Sequence, residues 1–122
     1  MILDHIMLSV SDVETSKAFY SQALGPLAIT QAKETQGWFA YGKEGRPVFW
    51  IGEGKTPQQP MHIAFVADNR KQVDAFYQAA LAAGGKDNGP PGLREHYHPN
   101  YYSAFVLDPD GHNIEAVCHV GE

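Results

Sequence analysis

Hydrophobic and polar residues follow the same order twice along the chain. In the first half, alternating apolar positions of a strand lead into apolar positions at helical spacing, and in the second half the same succession returns. Alternation is typical of a half-buried strand, whereas apolar residues three and four positions apart are typical of a helix with one buried face. The first strand is marked by Ile6, Leu8 and Val10, and the first helix by Phe19, Tyr20, Ala23 and Leu24.

An internal duplication explains this recurrence. When the chain is shifted by 57 positions, residues 3–24 align with residues 60–81, and seven of the 22 positions are identical. The identical pairs are His5/His62, Ile6/Ile63, Ala18/Ala75, Phe19/Phe76, Tyr20/Tyr77, Ala23/Ala80 and Leu24/Leu81. A repeat of this kind indicates two copies of one supersecondary unit.

Punctuating residues place the ends of the elements. Ser11 and Glu14 have the spacing of a capping box, so the first helix is predicted to start at Ser11 and to end at Gly25-Pro26. In the second copy Asp68 or Asn69 is the predicted cap, and Gly84-Gly85 ends the helix. Three strand-like segments follow each helix. In the first half they are 27–32, 38–42 and 48–51, and in the second they are 93–98, 101–107 and 113–118, with 86–92 as a loop.

The predicted fold class is therefore α+β, with two βαβββ modules. We expect one domain over residues 1–122, made of repeats 1–54 and 60–119, because the segment 52–60 between them is too short to separate domains. Hydrophobic residues make up 43% and charged residues 19% of the chain, which is ordinary for a globular domain.

Charge and cysteine content exclude several classes of protein. The chain has 9 Lys and Arg against 14 Asp and Glu, without a basic run, which argues against nucleic-acid or membrane partners. A single cysteine, Cys118, cannot form an intrachain disulfide. The first residues lack the basic segment of a signal peptide, and no apolar run approaches the roughly 20 residues of a membrane span. We expect a cytoplasmic protein.

Three residues are candidate metal ligands. His5 and His62 occupy equivalent positions, so a pseudo-two-fold axis between the modules would direct both imidazoles toward a shared concave face. Glu115 lies between Ile114 and Ala116 in the last strand, where a buried carboxylate is costly without a partner. Two imidazoles and one carboxylate form a facial triad that leaves positions open on Fe(II), Mn(II) or a similar ion.

These histidines, together with the segment Asp108-Pro109-Asp110-Gly111-His112-Asn113-Ile114-Glu115, resemble the vicinal oxygen chelate superfamily over about residues 3–119. That superfamily includes glyoxalase I, extradiol dioxygenases and the bleomycin-resistance proteins. The resemblance implies that each module forms a curled sheet and that the sheets form a cup around one divalent ion (Fe, Mn, Ni, Co or Zn). It also implies that the metal binds two neighbouring oxygens of a small-molecule substrate, and that two chains complete each other's cups as a homodimer.

Departures from the patterns of individual family members narrow the range of candidate activities. Where many relatives take a fourth ligand from a glutamate or glutamine, this chain has Trp50, which does not ligate a divalent ion. Extradiol dioxygenases carry a tyrosine three residues before the Asp-Pro and a histidine upstream, whereas here Phe105 takes the first place and His98 lies near the second. Fosfomycin-resistance enzymes use a basic residue soon after the glutamate, and residues 116–122 contain none.

The histidine- and tyrosine-rich segment 94–102 is predicted to lie at the mouth of the pocket. Either His96 or His98 is a candidate proton shuttle or hydrogen-bond donor, and His98 is taken as the catalytic residue. Of the adjacent tyrosines, Tyr102 is favoured as the catalytic hydroxyl because it has the parity of Ala104 and Val106. Aromatic walls are predicted from Trp50, Phe49 and Tyr101, while His112 is expected to be solvated in its turn and Cys118 to be a core residue.

Two functions remain open from the sequence. The first is a metal-dependent enzyme, of dioxygenase or lyase type, acting on a small substrate that chelates the metal through adjacent oxygens. The second is a non-catalytic protein of the same fold that binds a small, antibiotic-like molecule. Retention of His5, His62 and Glu115 favours the enzyme.

Overall fold

Two βαβββ modules build the protein, as the repeat predicts. The computed structural model describes residues 3–54 and 59–122; residues 55–58 of the segment between the modules, and the first two residues of the chain, lie outside this description. The first module consists of β1 (Ile6–Ser9), α1 (Val13–Ala23), a short 3-10 helix (Gly25–Leu27), β2 (Thr30–Thr35), β3 (Trp38–Gly42) and β4 (Phe49–Gly52). The second consists of β5 (His62–Val66), α2 (Arg70–Ala82), β6 (Lys86–Leu93), β7 (Tyr102–Leu107) and β8 (Asn113–Cys118).

Each module forms its own four-stranded mixed sheet. The strand orders are β1-β4-β3-β2 and β5-β8-β7-β6. In both sheets the first strand pairs in parallel with the last, which places His62 opposite Asn113 and Ala64 opposite Glu115. The remaining pairs are antiparallel, and Phe105 on β7 lies opposite Glu115 on β8.

A single hydrophobic core joins the two modules. One face of each sheet packs against the helices, and buried side chains from both sheets belong to one continuous cluster. The centroids of the Phe49 and Phe65 rings are 5.3 Å apart, in the edge-to-face arrangement that aromatic pairs prefer. We call the other side of each sheet, turned away from the helices, its open face. The open faces carry the candidate chemistry.

Cap chemistry sets the helix boundaries, with one shift from the prediction. Asp12, not Ser11, is the N-cap of α1, because its carboxylate accepts hydrogen bonds from the N–H groups of Glu14 and Thr15. The Ser11 N–H instead points toward the Asp110 carboxylate of the second module, at 3.3 Å. Asn69 caps α2, as one of the two predicted alternatives, and Gly84 follows that helix with a φ of 98°.

The strand before the histidine-rich segment is displaced from its predicted place. Residues 86–92 form most of β6 instead of a loop, while residues 94–98 turn instead of continuing a strand. The Gly-Pro-Pro-Gly sequence at 89–92 suggests a loop, but the pairing with β7 is retained through two register shifts. The second strand also differs from its predicted segment 27–32. It begins at Thr30, because Leu27 ends a 3-10 helix.

The last hairpin turn is more buried than its composition indicates. His112 is only 1% exposed, so the prediction that it is solvated is wrong. Its Nδ1 accepts a hydrogen bond from the Met61 N–H at 2.9 Å, which ties the turn to the segment before β5. Cys118 is buried in the core cluster, as predicted.

Candidate metal site and aromatic cleft

The open face of the second module carries a histidine–carboxylate pair. His62 begins β5 and Glu115 lies on the neighbouring strand β8, where the imidazole Nε2 is 2.7 Å from Oε1 of the carboxylate. Glu115 is 1% exposed, whereas about half of the His62 side chain is accessible. A buried carboxylate with an accessible imidazole beside it combines a hard oxygen donor and a nitrogen donor, a set that suits a first-row divalent ion.

Tyr101 completes this arrangement from the turn before β7. Its hydroxyl donates a hydrogen bond to Oε2, the second oxygen of Glu115. Burial, followed by the hydrogen bond and the charge of Glu115, raises the pKa of Tyr101 to about 12. The phenol is therefore neutral at physiological pH and remains a donor to the carboxylate.

Tyr102, which the sequence favours as the catalytic hydroxyl, points to the other side of the sheet, away from Glu115. Its hydroxyl donates to the Asp74 carboxylate on α2 at 2.6 Å, and the Arg70 guanidinium lies 5.2 Å from its ring. The hydrogen bond to Asp74, followed by burial, raises its pKa to about 12. The parity of Ala104 and Val106 is that of the helix-packed face, so the adjacent Tyr101 has the parity of the open face.

His98 lies beside the metal-ligand candidates but not on them. It is exposed in the 94–98 turn, its Nδ1 accepts from the Asn100 N–H at 3.3 Å, and its ring packs 5.6 Å from that of His119. The His119 ring in turn lies 5.1 Å from Tyr101. His98 is therefore accessible to solvent, and the His119 ring lies between it and Tyr101. Its assignment as a proton shuttle stays a prediction.

The open face of the first module contains a cleft of about 460 Å³. His5 lies in it, with its Nδ1 2.7 Å from the Asp4 carboxylate. This hydrogen bond lowers the pKa of Asp4. A proton on Nδ1 leaves Nε2 as the lone-pair nitrogen of a neutral ring, which is how a histidine ligand is oriented by a neighbouring carboxylate. The cleft is lined by Asp4, His5, Met7, Thr35, Gln36, Trp38, Pro47 and Trp50.

Trp50 lines this cleft, whereas Phe49 does not. Phe49 is 2% exposed and packs edge-to-face on Tyr20 within the core, because adjacent residues of a strand face opposite sides. The second aromatic wall is Trp38, which sequence reasoning missed. Trp38 lies opposite Gly52 in the β3–β4 ladder and shares the open face with Trp50, so the ladder register was the signal needed to find it.

The structure thus brings two of the three predicted ligands together and holds the third apart. His62 and Glu115 are adjacent, while His5 lies in the cleft of the other module. Within residues 3–54 and 59–122 of one chain, no three His, Cys, Asp or Glu side chains are grouped closely enough to hold a metal ion.

No helix in the same described ranges is long and apolar enough to cross a membrane.

Comparisons with known proteins agree with this architecture. A metallothiol transferase FosB from Shouchella clausii is 28% identical over 98% of this chain and 80% of its own length. A protein named Probable lactoylglutathione lyase, from Vibrio cholerae, is 30% identical over 93% of this chain and 87% of its own length. The crystal structure of a glyoxalase/bleomycin resistance protein from Albidiferax ferrireducens has a TM-score of 0.82 and 31% identity, covering 97% of this chain and 98% of that one.

The sequence profile of one family matches nearly the whole chain, from residue 2 to residue 116. Its match includes both modules and all three candidate ligands. The chain therefore belongs to the Glyoxalase/Bleomycin resistance protein/Dioxygenase superfamily.

Proposed function

We propose that this protein is a metal-dependent enzyme whose site is shared between two chains of a homodimer. One divalent ion (Fe, Mn, Ni, Co or Zn) would be held by His62 and Glu115 of one chain and by His5 of the other. Its substrate is a small molecule that chelates the ion through adjacent oxygens, and its reaction is of dioxygenase or lyase type. Relatives named as a metallothiol transferase and a lactoylglutathione lyase support enzyme activity in the superfamily.

The 2.7 Å contact between His62 and the buried Glu115 is the observation that carries this proposal. A carboxylate that is 1% exposed is costly to bury, and in the described part of the chain two side chains, His62 and Tyr101, bond to its oxygens. An ion bound here would compensate the carboxylate charge. The nitrogen and oxygen donors therefore fit a divalent metal.

The position of His5 supports a site shared between chains. His5 and His62 lie on the open faces of different modules, and the two modules of one chain share a core on their helix-packed faces. Each open face is therefore available to a second copy. A symmetric dimer can place the first module of one chain over the second module of its partner, twice, which gives two equivalent sites.

The chemistry divides between the ion and the chain. When bound, the ion supplies Lewis acidity that stabilises negative charge developing on substrate oxygens. Tyr101 keeps the Glu115 carboxylate in a fixed orientation, and Asp4 orients the imidazole of His5. Trp38 and Trp50 shape the cleft beside His5 and exclude water from the apolar part of a substrate.

Mixed dimers test both the metal site and its location. His5→Ala and Glu115→Ala chains should each lose metal as homodimers, measured by elemental analysis after dialysis. When the two variants are mixed and allowed to exchange, a shared site predicts that heterodimers recover one ion per dimer. A site within one chain predicts no recovery, because each chain would still lack one ligand. Failure of the wild-type protein to bind any of the five metals would defeat the enzyme proposal.

The alternative function is a binding protein that uses the cup without chemistry. The aromatic cleft favours it, since two tryptophans beside a cavity of about 460 Å³ suffice to hold a small organic molecule. The same measurement separates the two functions. A binding protein without a metal requirement would bind its ligand equally well after treatment with a chelator, whereas the enzyme would lose activity until metal is restored.

A further inference from the structure

Arg94 is a half-buried cation that has no anionic partner among the residues that the structure describes. Its Nη1 donates to the Gly92 carbonyl at 2.8 Å and its Nη2 donates to the Pro90 carbonyl at 2.7 Å. Among residues 3–54 and 59–122, the ion pairs within 4.0 Å join other side chains, and none includes Arg94. A guanidinium has five N–H donors, so these two carbonyls leave others available.

The strand β6 is shaped to hold this guanidinium in place. A Cβ added to Gly92 would lie 3.0 Å from Nη1, and one added to Gly89 would lie 3.1 Å from Nη2. Both distances are tighter than ordinary contacts, and Gly89 has a φ of 149° that favours glycine. The guanidinium also lies 5.4 Å from the centre of the Phe105 ring. Because residues 89 and 92 are glycines, the strand leaves room for the Arg94 guanidinium to lie against it in a fixed position.

This charge lies next to the proposed metal ligands. Phe105 is paired with Glu115 across β7 and β8, and its ring is 5.9 Å from that of His62. Phe105 therefore has the Arg94 guanidinium and the His62 imidazole as neighbours. The positive charge of Arg94 also acts on the Tyr101 hydroxyl, opposing the effect of Glu115 on it, which agrees with this proximity.

We propose that Arg94 is an anion-binding subsite, and that the substrate carries a carboxylate, phosphonate or similar oxyanion beside its chelating oxygens. The inference rests on the proposed metal site. With an ion bound, one carboxylate would face a divalent cation and an unpaired guanidinium, a combination that attracts an anionic chelator more strongly than a neutral one. The planar fork of Arg94 can bind an oxyanion through two parallel hydrogen bonds.

A role as a brace for β6 would explain the carbonyl contacts, but not the location. A brace needs only the two hydrogen bonds to Pro90 and Gly92, which leave other N–H groups of the guanidinium available. Nothing in that role requires an open face shared with His62 and Glu115. Ligand preference therefore separates the two roles, whereas protein stability does not.

The test uses two chelators that differ by one charge. The protein is loaded with Mn²⁺, and the affinities of catechol and 3,4-dihydroxybenzoate are measured by calorimetry at low and moderate salt. The wild type should bind the carboxylate-bearing chelator at least about tenfold more tightly, the order expected for a hydrogen bond to a charged group. Arg94→Gln should remove this preference and leave catechol binding unchanged. Arg94→Lys should keep part of it, because the charge remains but the fork is lost.

Controls keep the outcome interpretable. Lys71→Gln removes one positive charge from an exposed position on α2 and should preserve the preference. Circular dichroism verifies that each variant is folded. Equal binding of the two chelators by the wild type, or a preference that survives in Arg94→Gln, overturns the subsite while the metal site stands. Absence of Mn²⁺ binding to the wild type would instead remove the proposed function itself.

Discussion

The hydroxyl of Tyr20, on α1 of the first module, donates a hydrogen bond to the Asp108 carboxylate in the turn before β8 of the second. Tyr20 is fully buried and Asp108 is 5% exposed. The other carboxylate oxygen, Oδ1, accepts from the N–H groups of Asp110 at 2.9 Å and His112 at 2.8 Å. Asp108, the first residue of the Asp-Pro-Asp-Gly segment, therefore shapes its own turn and joins the two modules.

Removing the Tyr20 hydroxyl should destabilise the protein. Tyr20→Phe keeps the ring in the core but leaves one buried oxygen of Asp108 without its donor. The free energy of unfolding should fall by about 1.5–3 kcal/mol, the range for hydrogen bonds to charged groups. Tyr41→Phe is the matched control, because the Tyr41 hydroxyl contacts the neutral Ser21 hydroxyl and Lys17 carbonyl. Urea denaturation that shows equal losses for both variants would contradict this interpretation.

Alkaline pH should weaken the fold through the same contact. Burial, followed by the charge of Asp108, raises the pKa of Tyr20 well above its usual value of 10.0. Below pH 10 the phenol is protonated in both states, and its full contribution to stability is present. As the pH rises above 10, the unfolded chain releases this proton while the folded chain retains it, so stability is lost progressively. The free energy of unfolding between pH 9 and 11 should fall less steeply in Tyr20→Phe than in the wild type.

Much of the fold follows from the sequence because both copies repeat the same local signals. The ends of α1 and α2 follow from Gly25 and Gly84, and β3 and β8 match their predicted bounds. The wrongly predicted strands have a common cause: they depend on pairing with a neighbouring strand, which local sequence patterns do not encode. β6 contains Gly-Pro-Pro-Gly and is a strand because β7 pairs with it across two register shifts.

The candidate site shows the same limit. The repeat singles out His5 and His62. The alternation of side chains along the last strand predicts that Glu115 lies on the same kind of sheet face as these histidines. Parity alone does not tell which of Tyr101 and Tyr102 shares that face. The answer comes from the register that pairs Phe105 with Glu115, because Tyr101 has the parity of Phe105. The separation of His5 from His62 depends on how the modules pack, which no residue pattern reveals.

The two tyrosines provide a direct test of this assignment. Tyr101→Phe removes the donor to Oε2 of Glu115, and metal affinity should fall by roughly 10–100-fold, as for other residues that orient a ligand. Tyr102→Phe removes a hydroxyl bound to Asp74 on the helix-packed side and should leave metal affinity unchanged. Both affinities can be measured by competition with a fluorescent zinc chelator. A larger loss in Tyr102→Phe than in Tyr101→Phe would reverse the assignment.

Replacing Glu115 separates a metal ligand from a structural residue. Glu115→Gln keeps the volume and an oxygen donor but removes the negative charge, so metal affinity should fall by at least about tenfold. The melting temperature should change little, since the amide can still bond to Tyr101 and His62. Glu34→Gln, at an exposed position of β2, is the control for charge alone. If Glu115→Gln unfolds the protein while its metal content is intact, the residue is structural and the proposed ligand set is wrong.

Trp50 offers the opposite change, the addition of a ligand. Its side chain lies in the cleft with His5. Trp50→Glu places a carboxylate on the open face beside His5, so metal binding should tighten and catechol, which needs two open positions on the ion, should bind more weakly. Trp50→Gln should change both quantities in the same direction but less, because its oxygen is neutral. Trp38→Glu, opposite Gly52 in the same ladder, tests whether any acid in the cleft has this effect. Tighter metal binding by Trp38→Glu but not by Trp50→Glu would show that Trp50 does not face the ion, and that the cleft meets the metal site in a different register.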